Sequence, residues 1–245
     1  MNIIKLDAID STNSYIKNLA SISELVSYTV VQANVQTLGR GQLGTTWVSD
    51  GGKNLTFSIL INFKNLKIEH QFYLCMAISI GVLKGVKNTV KIPLVVKWPN
   101  DILAEKDKVA GILIENIIKG SIIKQSVVGI GLNVNQMDFP ENIGSVTSLK
   151  NITGVNFEKD ELLKNIIIAI KYYVGYVEKK EFEKLKKIYI TFLYKYQKPT
   201  MFEDKKGLVF LGKIIDVSLE GKLVIELENE TTRKFSLKEI KFASS

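Results

Sequence analysis

Two apolar, β-like runs, residues 28–33 and 54–61, are separated by Thr-Leu-Gly-Arg-Gly-Gln-Leu-Gly-Thr-Thr-Trp-Val-Ser at 37–49, where three glycines fall within six residues around one arginine. Glycine at Gly39, Gly41 and Gly44 opens backbone conformations closed to other residues and lets the main chain approach a ligand closely. Successive N–H groups in such a loop can cradle phosphate oxygens. Of the 33 basic residues only Arg40 and Arg233 are arginine, which marks position 40 for a planar, always-charged fork. The loop has neither the Lys-Ser/Thr of a P-loop nor the glycine spacing of a dinucleotide fingerprint. Taken alone, it reads as a mobile surface turn before it reads as an anion cradle of another kind.

The flanking pattern predicts an α+β chain. Ile3, Ile4 and Leu6 read as a first strand. Asp10-Ser11-Thr12-Asn13 then offers N-caps for a helix over about 14–20. Apolar residues at 72, 73, 76, 77, 80 and 83 recur at helical spacing within 69–87. The runs 94–98, 109–115 and 122–130 read as strands, and 136–156 mostly as loop. Two amphipathic helices follow, over 162–177 and 182–196. Beyond Lys198-Pro199 the grain changes to short β-like runs at 212–217, 223–227 and 233–237, separated by turns. A boundary near residue 197 divides a domain of 1–196 from a small β domain of 197–245.

Several function classes are excluded or weakened. The single cysteine, Cys75, leaves no internal disulfide and no multi-cysteine metal site, and its apolar flanks mark it as a core filler. The only histidine, His70, stands at the polar start of a helix, which argues against a Ser-His-Asp or Cys-His hydrolase. No apolar run is long enough to span a bilayer and the N-terminus lacks signal-peptide regions, so the expected location is cytoplasmic, with no membrane partner. The net charge of +8 invites nucleic acid. The lysines, however, are interleaved with acids, as in 178–187, in the manner of a solvated helix face.

The loop lies among further blocks: Ser11-Thr12-Asn13 upstream, then Lys97-Trp98-Pro99-Asn100-Asp101, Lys108-Val109-Ala110-Gly111-Ile112-Leu113-Ile114-Glu115 and Gly129-Ile130-Gly131-Leu132-Asn133-Val134-Asn135 downstream. In this order and spacing they resemble the catalytic module of biotin protein ligases, over essentially the whole chain. The resemblance implies a mixed β-sheet with packed helices, like that of class II aminoacyl-tRNA synthetases and biotin ligases, followed by an SH3-like barrel. It implies ATP-dependent formation of biotinyl-5′-adenylate and transfer of biotin to a lysine of a biotin carboxyl carrier protein. ATP and biotin are the substrates and Mg2+ the expected ion, with ligands that the sequence does not name. The first strand begins at residue 2, which leaves no room for the winged helix of repressor-type ligases, so no specific DNA is expected. A homodimer stays open.

Carried onto this sequence, the resemblance places biotin against Ser11, Thr12, Asn13, Gln36, Gly39, Arg40, Gly41, Gln42, Lys108 and Gly111. It places ATP or the adenylate against Arg40, Trp47, Lys97, Asn100, Lys108 and Asn133. Lys108, Arg40 and Lys97 are expected to neutralise the meeting of two anions. Lys97, inside an apolar run, needs an anionic partner, either ATP phosphate or Asp101. Asp101 is the candidate to orient or deprotonate the acceptor lysine, to bind magnesium, or to hold Lys97. The loop is expected to be mobile until it orders over its ligand. Many relatives carry more arginines where this chain has Gln42, Leu43 and Thr45, so less positive charge covers the adenylate. The rival reading is a lipoate or octanoate ligase or transferase of the same fold, against which the polar Ser-Thr-Asn and Gln36 set argues.

Overall fold

The computed structural model describes residues 2–243. Its centre is a seven-stranded sheet built from β1 (Ile3–Ile9), β2 (Thr29–Gln36), β3 (Leu55–Lys67), β4 (Leu94–Lys97), β5 (Asp101–Ala104), β6 (Asp107–Lys119) and β7 (Ile122–Leu132), in the order β1-β2-β3-β7-β6-β5-β4. β1 and β2 pair in parallel, which obliges the chain to cross over between them. That crossover is the helix α1 (Thr12–Ile22). The other neighbouring pairs are antiparallel.

Side chains on a strand alternate between faces, and here the alternation separates core from cavity. Odd positions of β3 (Leu55, Phe57, Ile59 and Ile61) join Val128, Ile130 and the helices α2 (Gln71–Thr89) and α4 (Lys159–Glu178) in one buried cluster. The opposite face carries Val31, Leu60 and Val127 against Ile16 of α1. Further along that second face the residues become small: Thr56 and Ser58 on β3, Gly129 and Gly131 on β7, and Gly111 on β6, with Gly111 and Thr56 both paired to Gly131. Small residues opposite a fully packed face leave a trough where the core would otherwise continue.

Several boundaries differ from the sequence expectation. α1 starts at Thr12 because Ser11 is the extended N-cap residue, so Thr12 and Asn13 are helical rather than capping. β5 was not anticipated and forms a hairpin with β4, joined through Pro99, whose peptide bond with Trp98 is cis. The segment 136–156 holds a short helix, α3 (Leu149–Thr153), capped by Ser148 and closed by Gly154 in the left-handed conformation. The helix expected over 182–196 is α5 (Phe182–Thr191), after which the chain turns towards the last strands.

β8 (Pro199–Asp204), β9 (Val209–Val217), β10 (Leu223–Leu227), β11 (Thr232–Phe235) and β12 (Ile240–Phe242) form a second, antiparallel sheet in the order β11-β10-β9-β8-β12. It docks on the first through specific contacts. Trp98 Nε1 donates to Gly221 O at 2.9 Å, and Lys186 Nζ lies 2.8 Å from Asp216 Oδ2. Apart from that seam, the fully buried Tyr189 of α5 gives its hydroxyl proton to Pro99 O of the β4–β5 hairpin at 2.8 Å, and burial holds that phenol well above its ordinary pKa. Phe202, Ile214 and Ile225 share the main apolar cluster with α2 and α4.

Candidate active site

The trough opens into a cavity of about 870 Å3, walled by α1, the glycine-rich loop, the β4–β5 hairpin, the start of β6 and the second sheet. Its polar end is built at the β1–α1 junction. Thr12 donates both its backbone N–H (2.8 Å) and its hydroxyl (2.9 Å) to Gln36 Oε1, which leaves the Gln36 amide N–H groups facing outward. Ser58, fully buried on β3, lies 2.7 Å from Thr12 Oγ1 and 2.6 Å from Asn13 Oδ1 and has one proton to give to either. Ser11, Thr12, Asn13 and Gln36 all line the cavity. Donors and acceptors thus meet within one small pocket, as a cyclic urea requires.

The glycine-rich loop closes on itself as a small hairpin: Gly41 N bonds Thr45 O at 2.7 Å, Trp47 N bonds Gly39 O at 2.9 Å, and Arg40 bridges Thr46. Besides the backbone bonds of Thr37 to Ile9 O and Leu38 to Asp10 O, three side-chain ties fix it to the rest of the molecule. The Arg40 guanidinium reaches Glu115 through Nη2 (2.9 Å) and Nη1 (3.4 Å), and Lys238 Nζ from the second sheet donates to Leu43 O at 3.1 Å. Trp47 supplies the third: its indole lies flat on Gly111 and Gly131, so closely that a Cβ on Gly131 would collide with the ring. Its Nε1, pressed against Gly131, finds no acceptor among the described residues.

The opposite wall carries the other cations. Lys108 Nζ lies 2.7 Å from Asp101 Oδ1 and 5.8 Å from the centre of the Trp47 ring. Asp101 therefore holds Lys108 and not Lys97, correcting one of the sequence alternatives. Lys97 and Asp101 are cross-strand partners at the mouth of the β4–β5 hairpin. The long Lys97 side chain runs instead towards the face of Phe242, 5.6 Å from the ring centre, a favourable seat for a cation. Lys97 also lines the cavity, together with Phe202, Lys238, Lys241 and Phe242 of the second sheet.

Not every expected residue reaches this space. Asn100 does line it, with its amide engaged by Ile112 O at 2.7 Å, whereas two others fall short. Asn133 is buried behind the wall, where its amide holds Thr147 O and its backbone N–H holds Val109 O. Gly39 is likewise set back, under the Trp47 carbonyl. Gly41, Gln42 and Gly111 do line the cavity.

The biotin/lipoate A/B protein ligase model matches residues 6–133, more than half of the chain. The chain belongs to that family. Within the biotin/lipoate ligase family it is 27% identical over 239 residues to the bifunctional ligase/repressor BirA of Bacillus spizizenii, covering 96% of this chain and 72% of the relative. It is 31% identical over 146 residues to the biotin–[acetyl-CoA-carboxylase] ligase of Mycobacterium tuberculosis, covering 58% of this chain and 52% of the relative. Its structure resembles biotin protein ligase from Aquifex aeolicus in complex with biotin and ATP, with a TM-score of 0.79 and 29% identity over 100% of this chain and 99% of that one. To the expected residues the structure adds Thr56 on the cavity wall, and Ser58, Glu115 and Lys17 bonded to the residues that line it or to one another. Thr56 and Ser58 carry a signal in the sequence, alternating polar positions within the apolar first half of β3.

Proposed function

We propose that the chain activates biotin with ATP to biotinyl-5′-adenylate and transfers the biotinyl group to a lysine of a carboxylase carrier protein. The observation that carries this reading is one cavity joining a small polar pocket, Ser11, Thr12, Asn13 and Gln36, to three cations, Arg40, Lys97 and Lys108. The biotin carboxylate attacks the α-phosphorus of ATP, the bond to the pyrophosphate oxygen breaks, and pyrophosphate leaves. Both reactants are anionic, so the three cations act where negative charge accumulates, in a space screened from water by the loop. The amine of the acceptor lysine then attacks the acyl carbon, the bond to AMP breaks, and an amide remains. In this reading Asp101 takes up or orients that amine proton once Lys108 turns to the phosphate.

Magnesium enters such sites with the substrate phosphates and needs only one or two protein carboxylates. Asp101, an oxygen donor on the cavity wall beside Lys108, suits that role. When bound, the ion would neutralise phosphate charge. A catalytic unit over 1–196 and an SH3-like unit over 197–245 are part of the proposal, supported by the separate antiparallel sheet that begins at Pro199. So is a cytoplasmic location, where ATP is available and the single Cys75 needs no partner; among the described residues no helix is long and apolar enough to cross a membrane.

The polar pocket also separates this reading from a lipoate or octanoate ligase, whose aliphatic acyl chain has no use for paired donors and acceptors at its far end. Incubating the protein with ATP and magnesium plus biotin, lipoate or octanoate, and analysing acyl-adenylates by mass spectrometry, decides between them. Biotinyl-adenylate alone is expected; octanoyl- or lipoyl-adenylate in its place would transfer the chain to the other branch of the family.

A further inference from the structure

We propose that Glu115 is a positioning residue that sets the pocket amide of Asn13 and the guanidinium of Arg40 in one geometry, coupling biotin capture to closure of the glycine-rich loop. The inference rests on the biotin-ligase reading above. Glu115 lies on β6 at the same parity as Gly111 and Leu113, and so on the cavity face of the sheet, paired to Val127. It does not line the cavity, so it acts through its neighbours.

All the acceptor capacity of its carboxylate is used. Oε2 accepts from Asn13 Nδ2 at 2.8 Å and Arg40 Nη2 at 2.9 Å; Oε1 accepts from Lys17 Nζ at 3.0 Å and Arg40 Nη1 at 3.4 Å. These donors come from two elements, α1 and the loop. A carboxylate can only accept, so it decides which way round the Asn13 amide sits: Nδ2 towards Glu115, Oδ1 towards Ser58 and the pocket. The same carboxylate holds Arg40 by two nitrogens, fixing the direction of its remaining N–H donors. Without it, Lys17 and Arg40 would face each other uncompensated, and their repulsion would lift the loop.

Glu115→Gln tests this, because an amide of the same size can donate as well as accept and carries no charge. The wild-type protein is first shown to make biotinyl-adenylate. For Glu115→Gln we expect KM for biotin to rise about tenfold, with a smaller fall in kcat, and more of the adenylate to be lost to hydrolysis before transfer to a carrier domain. Arg40→Gln combined with Glu115→Gln should be no leakier than Arg40→Gln alone, the non-additivity of two residues acting as one unit. Glu115→Asp keeps the charge but cannot span to both Asn13 and Arg40; it should leak as Glu115→Gln does, and it serves if the amide variant fails to fold. If wild type makes no biotinyl-adenylate, the ligase reading falls and the proposal with it. If wild type makes it, and the variants that fold match its biotin KM and partition or add their effects to those of Arg40→Gln, the positioning role alone is refuted.

Discussion

Lys108 and Asp101 form a 2.7 Å ion pair on the wall of the cavity, each with about a third of its side chain exposed. A carboxylate that close keeps the ammonium in place yet competes with any phosphate for it. Replacing Lys108 with Met should therefore remove the clamp and leave Asp101 as an uncompensated negative charge beside the incoming anions. We expect adenylate formation to drop by about 10²- to 10³-fold, measured as pyrophosphate release, with biotin binding weakened much less. Near-normal pyrophosphate release would show that the reaction does not use this lysine.

Ser58→Ala deletes a fully buried hydroxyl that supplies one proton to Thr12 or Asn13. The acceptors left behind lose a partner at a cost of about 1–3 kcal/mol. If that cost falls on binding, biotin affinity by calorimetry should fall by about five- to 150-fold, the same energy expressed as a ratio. Unchanged affinity would mean that the hydroxyl serves packing alone.

Gly131→Ala puts a methyl group into the indole of Trp47. The ring must lift, since Gly131, near the end of β7, is paired to Thr56 on one side and Gly111 on the other and cannot retreat. Tryptophan fluorescence should shift towards that of exposed indole, and cleavage within the loop by a protease should accelerate relative to wild type. A spectrum and cleavage rate identical to wild type would contradict the placement of the ring.

Glu115 gives a pH signature. Burial pushes its carboxyl pKa upward, but the hydrogen bond from Asn13 and the charges of Lys17 and Arg40 outweigh that and hold it below the ordinary value. A carboxyl depressed on folding adds stability that is complete above its unfolded pKa, roughly 4.3, and is lost as pH falls through the lower folded value. Melting temperatures measured from pH 6 downward should therefore fall more steeply below about pH 4.5 for wild type than for Glu115→Gln. Parallel curves would remove Glu115 from the acid transition.

The fold was legible where periodicity is strong. The apolar spacing of 69–87 and the run 122–130 became α2 and β7 with little change, and the run 54–61 became the first part of β3, which continues to Lys67. The site was legible where its residues cluster in sequence, as in Ser11-Thr12-Asn13 and the glycine-rich loop. What escaped was built from distant pieces. Glu115 meets Arg40 across 75 positions, and Lys97 meets Phe242 from another sheet. Neither proximity leaves a trace in local spacing. Asn133 and Asn100 show the converse: polar residues beside recognisable blocks that turn out to hold backbone carbonyls. Lys97 chose an aromatic face over its cross-strand carboxylate because its side chain is long enough to reach beyond the hairpin.

The seat of Trp47 on Gly111 and Gly131 has a kinetic meaning. The indole fills the floor of the trough, and its unpartnered N–H makes that resting place an imperfect one. Any molecule that comes to lie on those two glycines has to evict the ring first. Its arrival rate is then set by how often the indole leaves rather than by diffusion alone, so the observed association rate should level off at high ligand concentration instead of rising without limit.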